Sequence, residues 1–390
     1  MRRQAQYTRD DDTVPYDREL IRSGGARGRD RRRQAASRPP TRGRRSSPPR
    51  RPGGFLRAVR GVLLVLVLIM VVGGVLLGMR AAAFNATVTD TPFISTSLLL
   101  PLNGSDRVNL LMVGYGGEGH DGAYLADSIQ VISIDPATDT TTTIPIPRDL
   151  WIEGLSGFGQ NGKINEVFSV GRGSTGEIDD GAALLAEVAS DVTGLEIEHW
   201  LTVDFGGFRD MVNAVGGVTI ENPVAFSYTT IEQFHREGRW EMGSFPAGEI
   251  QLDGDEALAY SRARYTSVAS EATDFARSVR QARIISALRS RLGDGGIFAI
   301  GPGLGLMDAM EGRIRTDLSV VDLFLLSGHL SSDRRLELTE DVVLTATTNS
   351  IGQYILLPIG WTGPGDYYGI RTYLARELAV PVDQAAADAP

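Results

Sequence analysis

Five arginines crowd one short stretch of this chain. YSRARYTSVASEATDFARSVRQAR, residues 260–283, holds Arg262, Arg264, Arg277, Arg280 and Arg283, a quarter of the 20 arginines found in residues 61–390. The acids set among them are Glu271 and Asp274, which cannot neutralise five cations. A salt bridge from Asp274 to Arg277, with Arg280 and Arg283 in solvent, would explain part of the cluster. The remainder predicts an anion from outside the chain, and the planar guanidinium fork matches the oxygens of a phosphate group.

IPIPRDLWIEG, residues 144–154, sets Arg148 and Asp149 directly after an apolar run, held by Pro147. Strand ends are where α/β domains present their chemistry. Asp127, in LADSIQVISI, opens the preceding run, so a hairpin brings it to the same sheet edge as Arg148 and Asp149. A carboxylate beside arginines and phosphates is a setting for Mg²⁺, which takes one or two carboxylates together with phosphate oxygens. The competing reading of Asp127 is a cap at a strand start. Lys163, in NGKINEVF, is the one lysine of the chain and so a candidate for a specific contact.

The elements that must position these groups are read from periodicity. VNLLMVG (108–114), SIQVISID (128–135) and TTTIPI (141–146) are strand-like, and DPATDT between the last two predicts a hairpin. Helical spacing covers residues 179–192, and EHWLTVDFGGFRDMVNAVGG reads as strand, helix and glycine stop. Asp253 with Glu256 three residues later predicts a capping box. In a helix over 274–292, Asp274, Arg277, Gln281, Ile284 and Leu288 share one stripe, polar at its start and apolar at its end. Residues 316–330 read as a further helix and LELTEDVVLTA as a late strand. These elements predict an α/β domain over residues 106–345, with a C-terminal extension at 346–390.

Charge divides the chain before that domain begins. Residues 1–60 carry 18 arginines against 6 acids, whereas the remainder carries 20 arginines and one lysine against 42 acids. The first 60 residues, rich in Arg, Pro, Ser and Gly, cannot bury enough apolar surface to order themselves. Such a tail binds phosphates without sequence preference, but the segment after it points to a membrane rather than to a specific nucleic acid. GVLLVLVLIMVVGGVLLGM, residues 61–79, is uncharged, and as a helix it spans about 28 Å, close to a bilayer's hydrocarbon thickness. A transmembrane helix is therefore expected over 61–80, with a linker over 81–105. The arginine excess before it predicts a cytoplasmic N-terminus and an extracytoplasmic domain. The absence of cysteine excludes disulfides and thiolate metal sites.

The ordered set VNLLMVG, LADSIQVISID, IPIPRDLWI, GKINEVF, HWLTVDFGGFRDMVNAVGGV, LDGDEALAYSRAR and DFARSVRQ resembles the LytR-CpsA-Psr family over residues 106–292. That resemblance implies a three-layer α/β domain, its central sheet mostly antiparallel or mixed, enclosing a greasy pocket with an arginine-lined mouth. It implies a single-pass membrane protein that transfers a glycopolymer from a polyprenyl-pyrophosphate carrier to peptidoglycan, releasing polyprenyl phosphate. By matching position, Asp127 corresponds to the Mg²⁺-binding aspartate, and Arg148 and Asp149 to the P-R-D motif. Arg262 and Arg264 correspond to the R-x-R pair, and Arg277 and Gln281 to the motif that grips pyrophosphate. Arg148, Lys163, Arg262, Arg264, Arg277, Arg280 and Gln281 are then the expected substrate contacts. Two departures stand out: GYGGEG (114–119) replaces the family's G-x-D-x-R, and Leu125 replaces an arginine. Glu118, His120 or Asp121 would have to supply the second metal ligand. The alternatives are a polyprenyl-pyrophosphate hydrolase and a non-catalytic protein that binds lipid-linked glycan.

Overall fold

The computed structural model describes residues 53–95, 107–120, 122–155, 157–173, 175–229, 243–293, 300–327, 329 and 334–380. The tail reading for residues 1–52 therefore lies outside the described residues. So do Asp121, residues 96–105 of the expected linker and residue 106.

A six-stranded mixed sheet organises the rest, in the order β5-β4-β1-β2-β3-β6. The strands are β1 (Val108–Tyr115), β2 (Ala126–Asp135), β3 (Thr140–Pro145), β4 (His199–Asp204), β5 (Ile314–Thr316) and β6 (Arg334–Arg335). β1 runs antiparallel to β2 and parallel to β4, β2 and β3 form the expected hairpin, and β6 joins β3 in parallel. Along each strand, side chains alternate between two faces. Leu111, Val113, Ile129, Val131 and Ile144 point to one of them, where they meet Phe168 of α2 (Ile164–Arg172) and Leu185 and Val188 of α3 (Ile178–Thr193). Val108, Leu110, Ile132 and Ile134 point to the other, toward Leu318 and Leu326.

The remaining helices are α4 (Phe205–Ala214), α5 (Gly254–Arg262), α6 (Asp274–Gly293), α7 (Ile300–Met310), α8 (Val320–Ser327) and α9 (Tyr368–Leu378). The Asp253–Glu256 capping box forms as expected. α8 is shorter than the predicted 316–330 because Ser319 and Asp322 cap it reciprocally, Ser319 Oγ donating to Asp322 Oδ2 at 2.7 Å. The late strand is displaced: Arg334–Arg335 forms β6, and Leu344–Thr348 (β7) pairs with Tyr354–Pro358 (β8) in a hairpin.

Two boundary expectations change. α1 runs unbroken from Gly53 to Val88, and its Leu63–Val88 portion is long and apolar enough to cross a membrane. Residues 81–88 belong to the domain rather than to a stalk: Ala81, Phe84 and Val88 pack on Met307, Ile314 and Val320. Asn85 Oδ1 also accepts the Val320 amide at 2.9 Å. Residues 346–378 are likewise no appendage, since Leu356, Ile370, Leu374 and Leu378 complete the core that α2 and α3 begin.

Candidate active site

The second face of the sheet is incompletely filled. Leu110, Met112, Ile132, Leu201 and Val203 look into an apolar cavity of about 360 Å³, closed by Phe84 and Val88 of α1, Phe208 and Met211 of α4, Met307 and Met310 of α7, and Leu323 and Leu326 of α8. A second cavity, of about 300 Å³, lies at the end of the β2–β3 hairpin and is lined by charged and polar groups interleaved with Ile129, Ile146, Phe275, Leu338 and Leu356. Asp127, Ser128, Gln130, Arg264, Arg277 and Gln281 line both, so a wall of polar side chains separates a greasy space from a polar one.

The β2–β3 hairpin brings Asp127 and Arg148 together, as its register predicts: Arg148 Nη1 donates to Asp127 Oδ1 at 2.6 Å. Asp149 is buried. Lys163 Nζ donates to its Oδ1 at 2.5 Å, and Arg148 Nε sits 3.8 Å from its Oδ2. Lys163 lines neither cavity, so its contact is with Asp149 rather than with the space a substrate would fill. The backbone of this loop is held from the C-terminal hairpin, where the Leu356 amide donates to the Asp149 carbonyl at 2.9 Å.

α6 contributes the facing wall. Arg277 Nη1 forms an ion pair with Asp274 Oδ1 at 3.0 Å, and Arg264 Nη2 approaches the same oxygen at 3.6 Å. Burial pushes Arg277 down to about 10, only partly offset by Asp274, so its charge is held in a poorly solvated place. Asp274 is held below its ordinary value: burial alone would raise it, but the neighbouring charges of Arg277, Arg264 and Arg148 outweigh that. Arg262 faces the apolar cavity with its guanidinium 4.0 Å above the Phe205 ring, and burial lowers it as well.

The five arginines of the sequence cluster therefore divide. Arg262, Arg264 and Arg277 line the cavities, but Arg280 does not. It is fully buried: Nε donates to the Tyr260 carbonyl (2.9 Å), Nη1 to the Glu271 side chain (2.7 Å) and Nη2 to the Ala263 carbonyl. The expected substrate contact of Arg280 is thus replaced by a brace between α6 and the end of α5. Arg283 donates to the Tyr260 hydroxyl at 3.2 Å, on the same side.

The glycine loop does not supply the second metal carboxylate within the described residues. Glu118 and His120 are exposed and line neither cavity, and the His120 ring sits edge-on to Phe205. No group of three metal-ligating side chains converges among the described residues. Asp127 alone offers a carboxylate at the wall shared by both cavities, and with phosphate oxygens it makes the kind of donor set Mg²⁺ accepts.

Sequence reasoning missed one side of the polar cavity. Arg335, Glu337, Glu340 and Tyr354 line it from the C-terminal segment. Arg335 rides on a two-residue strand about 190 positions from its parallel partner in β3, a pairing no local pattern announces.

The profile of the LytR_cpsA_psr family matches residues 80–355. The chain is similar to the polyisoprenyl-teichoic acid–peptidoglycan teichoic acid transferase TagU of Enterococcus faecalis, at 25% identity over 265 residues, covering 67% of this chain and 78% of that one. Its likeness to TagU of Halalkalibacterium halodurans is 27% over 259 residues, covering 66% and 76%. The crystal structure of B. subtilis TagV superposes with a TM-score of 0.52 at 24% identity, over 71% of this chain and 99% of that one, which is a likeness of fold.

Proposed function

The chain belongs to the LytR-CpsA-Psr family, and we propose that it is a transferase that moves a glycopolymer onto peptidoglycan in cell-wall assembly. The observation that carries this reading is the polar wall between the two cavities. A polyprenyl chain needs an apolar space, a glycan needs a polar one, and a pyrophosphate linking them needs cations at the junction. Arg264 and Arg277 stand at that junction, with Arg262 just inside the apolar side.

In the proposed reaction, an acceptor hydroxyl attacks the sugar-bearing phosphorus of a polyprenyl-pyrophosphate glycan. A new P–O bond forms, the bond to the bridging oxygen breaks, and polyprenyl phosphate departs as the hydroxyl proton passes to solvent. Phosphoryl transfer asks mainly for positioning and charge neutralisation. Arg262, Arg264 and Arg277 would meet the charge that grows on the leaving phosphate, in surroundings where water screens it poorly. Asp149, anchored by Lys163, orients Arg148, and Arg148 in turn orients Asp127. Mg²⁺ fits as an ion held by Asp127 and the pyrophosphate oxygens, where it would draw charge from the phosphates.

α1 supports a single-pass anchor, and the arginine excess before it supports a cytoplasmic N-terminus with the domain outside. Phe84 and Val88, at its domain end, line the apolar cavity. A lipid leaving the bilayer along α1 would therefore arrive at that cavity directly. The test is incubation of the full chain with a polyprenyl-pyrophosphate glycan and Mg²⁺, with and without peptidoglycan. The reading expects glycan on peptidoglycan together with released polyprenyl phosphate. Release that proceeds equally without acceptor, and never yields the adduct, would make the protein a hydrolase.

A further inference from the structure

Arg335 is a cation whose N–H groups the chain only partly engages. Its Nε donates to Glu337 Oε1 at 2.9 Å, but Nη1 and Nη2 are shielded from solvent and make no hydrogen bond. Among the described residues, its ion pair is with Glu337 through Nε. Glu340, the next carboxylate of the segment, accepts the Tyr354 hydroxyl at 2.9 Å. Arginine keeps its proton, so two desolvated N–H edges carrying positive charge are costly unless an acceptor meets them. Arg335 lines the polar cavity together with Arg264 and Arg277. Arg148 Nε, on the same cavity, is also buried without a hydrogen bond.

We infer that Arg335 supplies the cation of an oxyanion subsite that seats a carboxylate or phosphate group of the sugar substrate in the polar cavity, making Arg335 a specificity-determining residue. This rests on the transferase reading above. With pyrophosphate on the shared wall and the lipid in the apolar cavity, the polar cavity holds either the acceptor or the first sugars of the donor. Its volume of about 300 Å³ lies at the small end of ligand sites, enough for a sugar-sized group. An acceptor would bring a carboxylate and a donor polymer a phosphodiester, and both fit the same fork. Tyr354, held on Glu340, closes the same side.

The experiment uses the full chain and two variants, Arg335→Gln and Arg335→Lys. Short peptidoglycan fragments, with carboxylates free or amidated, are titrated by calorimetry, a readout independent of turnover. Transfer rates are measured with donor and acceptor varied separately. Loss of a charge-assisted contact predicts about tenfold or greater weakening in Arg335→Gln. The lysine variant keeps the charge without the fork and falls between the two. If the acceptor supplies the oxyanion, binding of the free-carboxylate fragment and its KM shift, the amidated fragment is indifferent to the substitution, and donor KM stays put. If the donor supplies it, donor KM moves instead. A variant that matches wild type in fragment binding and in both KM values overturns the subsite. Wild type that fails to transfer, yet still loses fragment binding in Arg335→Gln, would instead overturn the transferase reading and leave the subsite standing.

Discussion

The two cavities are similar in size, about 360 and 300 Å³, yet they are made from different kinds of sequence. The apolar one is a face of the central sheet that the helices leave partly uncovered, and its lining is the ordinary alternation of Leu110, Met112, Leu201 and Val203. The polar one is gathered from ends: the open end of the β2–β3 hairpin, the first turns of α6, and β6 with the segment after it. The first is therefore built by strand periodicity. The second is built by long-range contacts that bring buried charges together, each charge needing a partner or a ligand. The arginines on their common wall are the groups that neither cavity's own logic explains.

Substitutions that act on the wall, on the apolar side alone or on neither separate these roles. Arg277→Gln removes the buried cation that touches both spaces, and transfer should fall by about 10² to 10³, the scale of losing a preorganised charge contact in a transition state. Steady-state kinetics with saturating acceptor checks this. Met112→Trp fills the apolar space only. Binding of a long-chain polyprenyl pyrophosphate should weaken by about ten- to a hundredfold, while a donor with a short lipid is little affected. Equal losses for both lipid lengths would break the assignment of that cavity to the carrier. Arg280→Met touches neither space. Because it strands the Glu271 carboxylate and the carbonyls of Tyr260, Ala263 and Glu271, it should cost about 3–5 kcal/mol of stability, read by denaturant titration. Turnover per folded molecule should fall far less than in Arg277→Gln, since Arg280 lines neither cavity.

That last contrast shows what could be seen in the sequence. The α6 stripe was legible because helical spacing places Arg277, Gln281 and Leu288 on one side, and all three line the apolar cavity. Arg280, three residues after Arg277, was not separable from it. Its fate depends on the carbonyls of Tyr260 and Ala263, which are exposed where α5 ends, and on Glu271 in the intervening turn. The meeting of Asp127 with Arg148 came from hairpin register, whereas Lys163 reaches Asp149 through a short strand pair, Trp151–Ile152 with Gly162–Lys163. The domain role of residues 81–88 was hidden because AAAFNATV reads as a continuation of the apolar span before it, with nothing local to mark the packing on Met307, Ile314 and Val320. Asn85 does its work through two hydrogen bonds, to Val320 and to the Thr91 carbonyl. Arg335 and Tyr354 depended on chain returns far from the recognisable motifs.

The most direct test of the account is a crystal structure of the protein with a polyprenyl pyrophosphate and Mg²⁺ bound. The account predicts the lipid lying between the sheet and α4, α7 and α8, with its pyrophosphate against Arg262, Arg264 and Arg277. Lipid bound elsewhere, with those three guanidiniums unengaged, would contradict it.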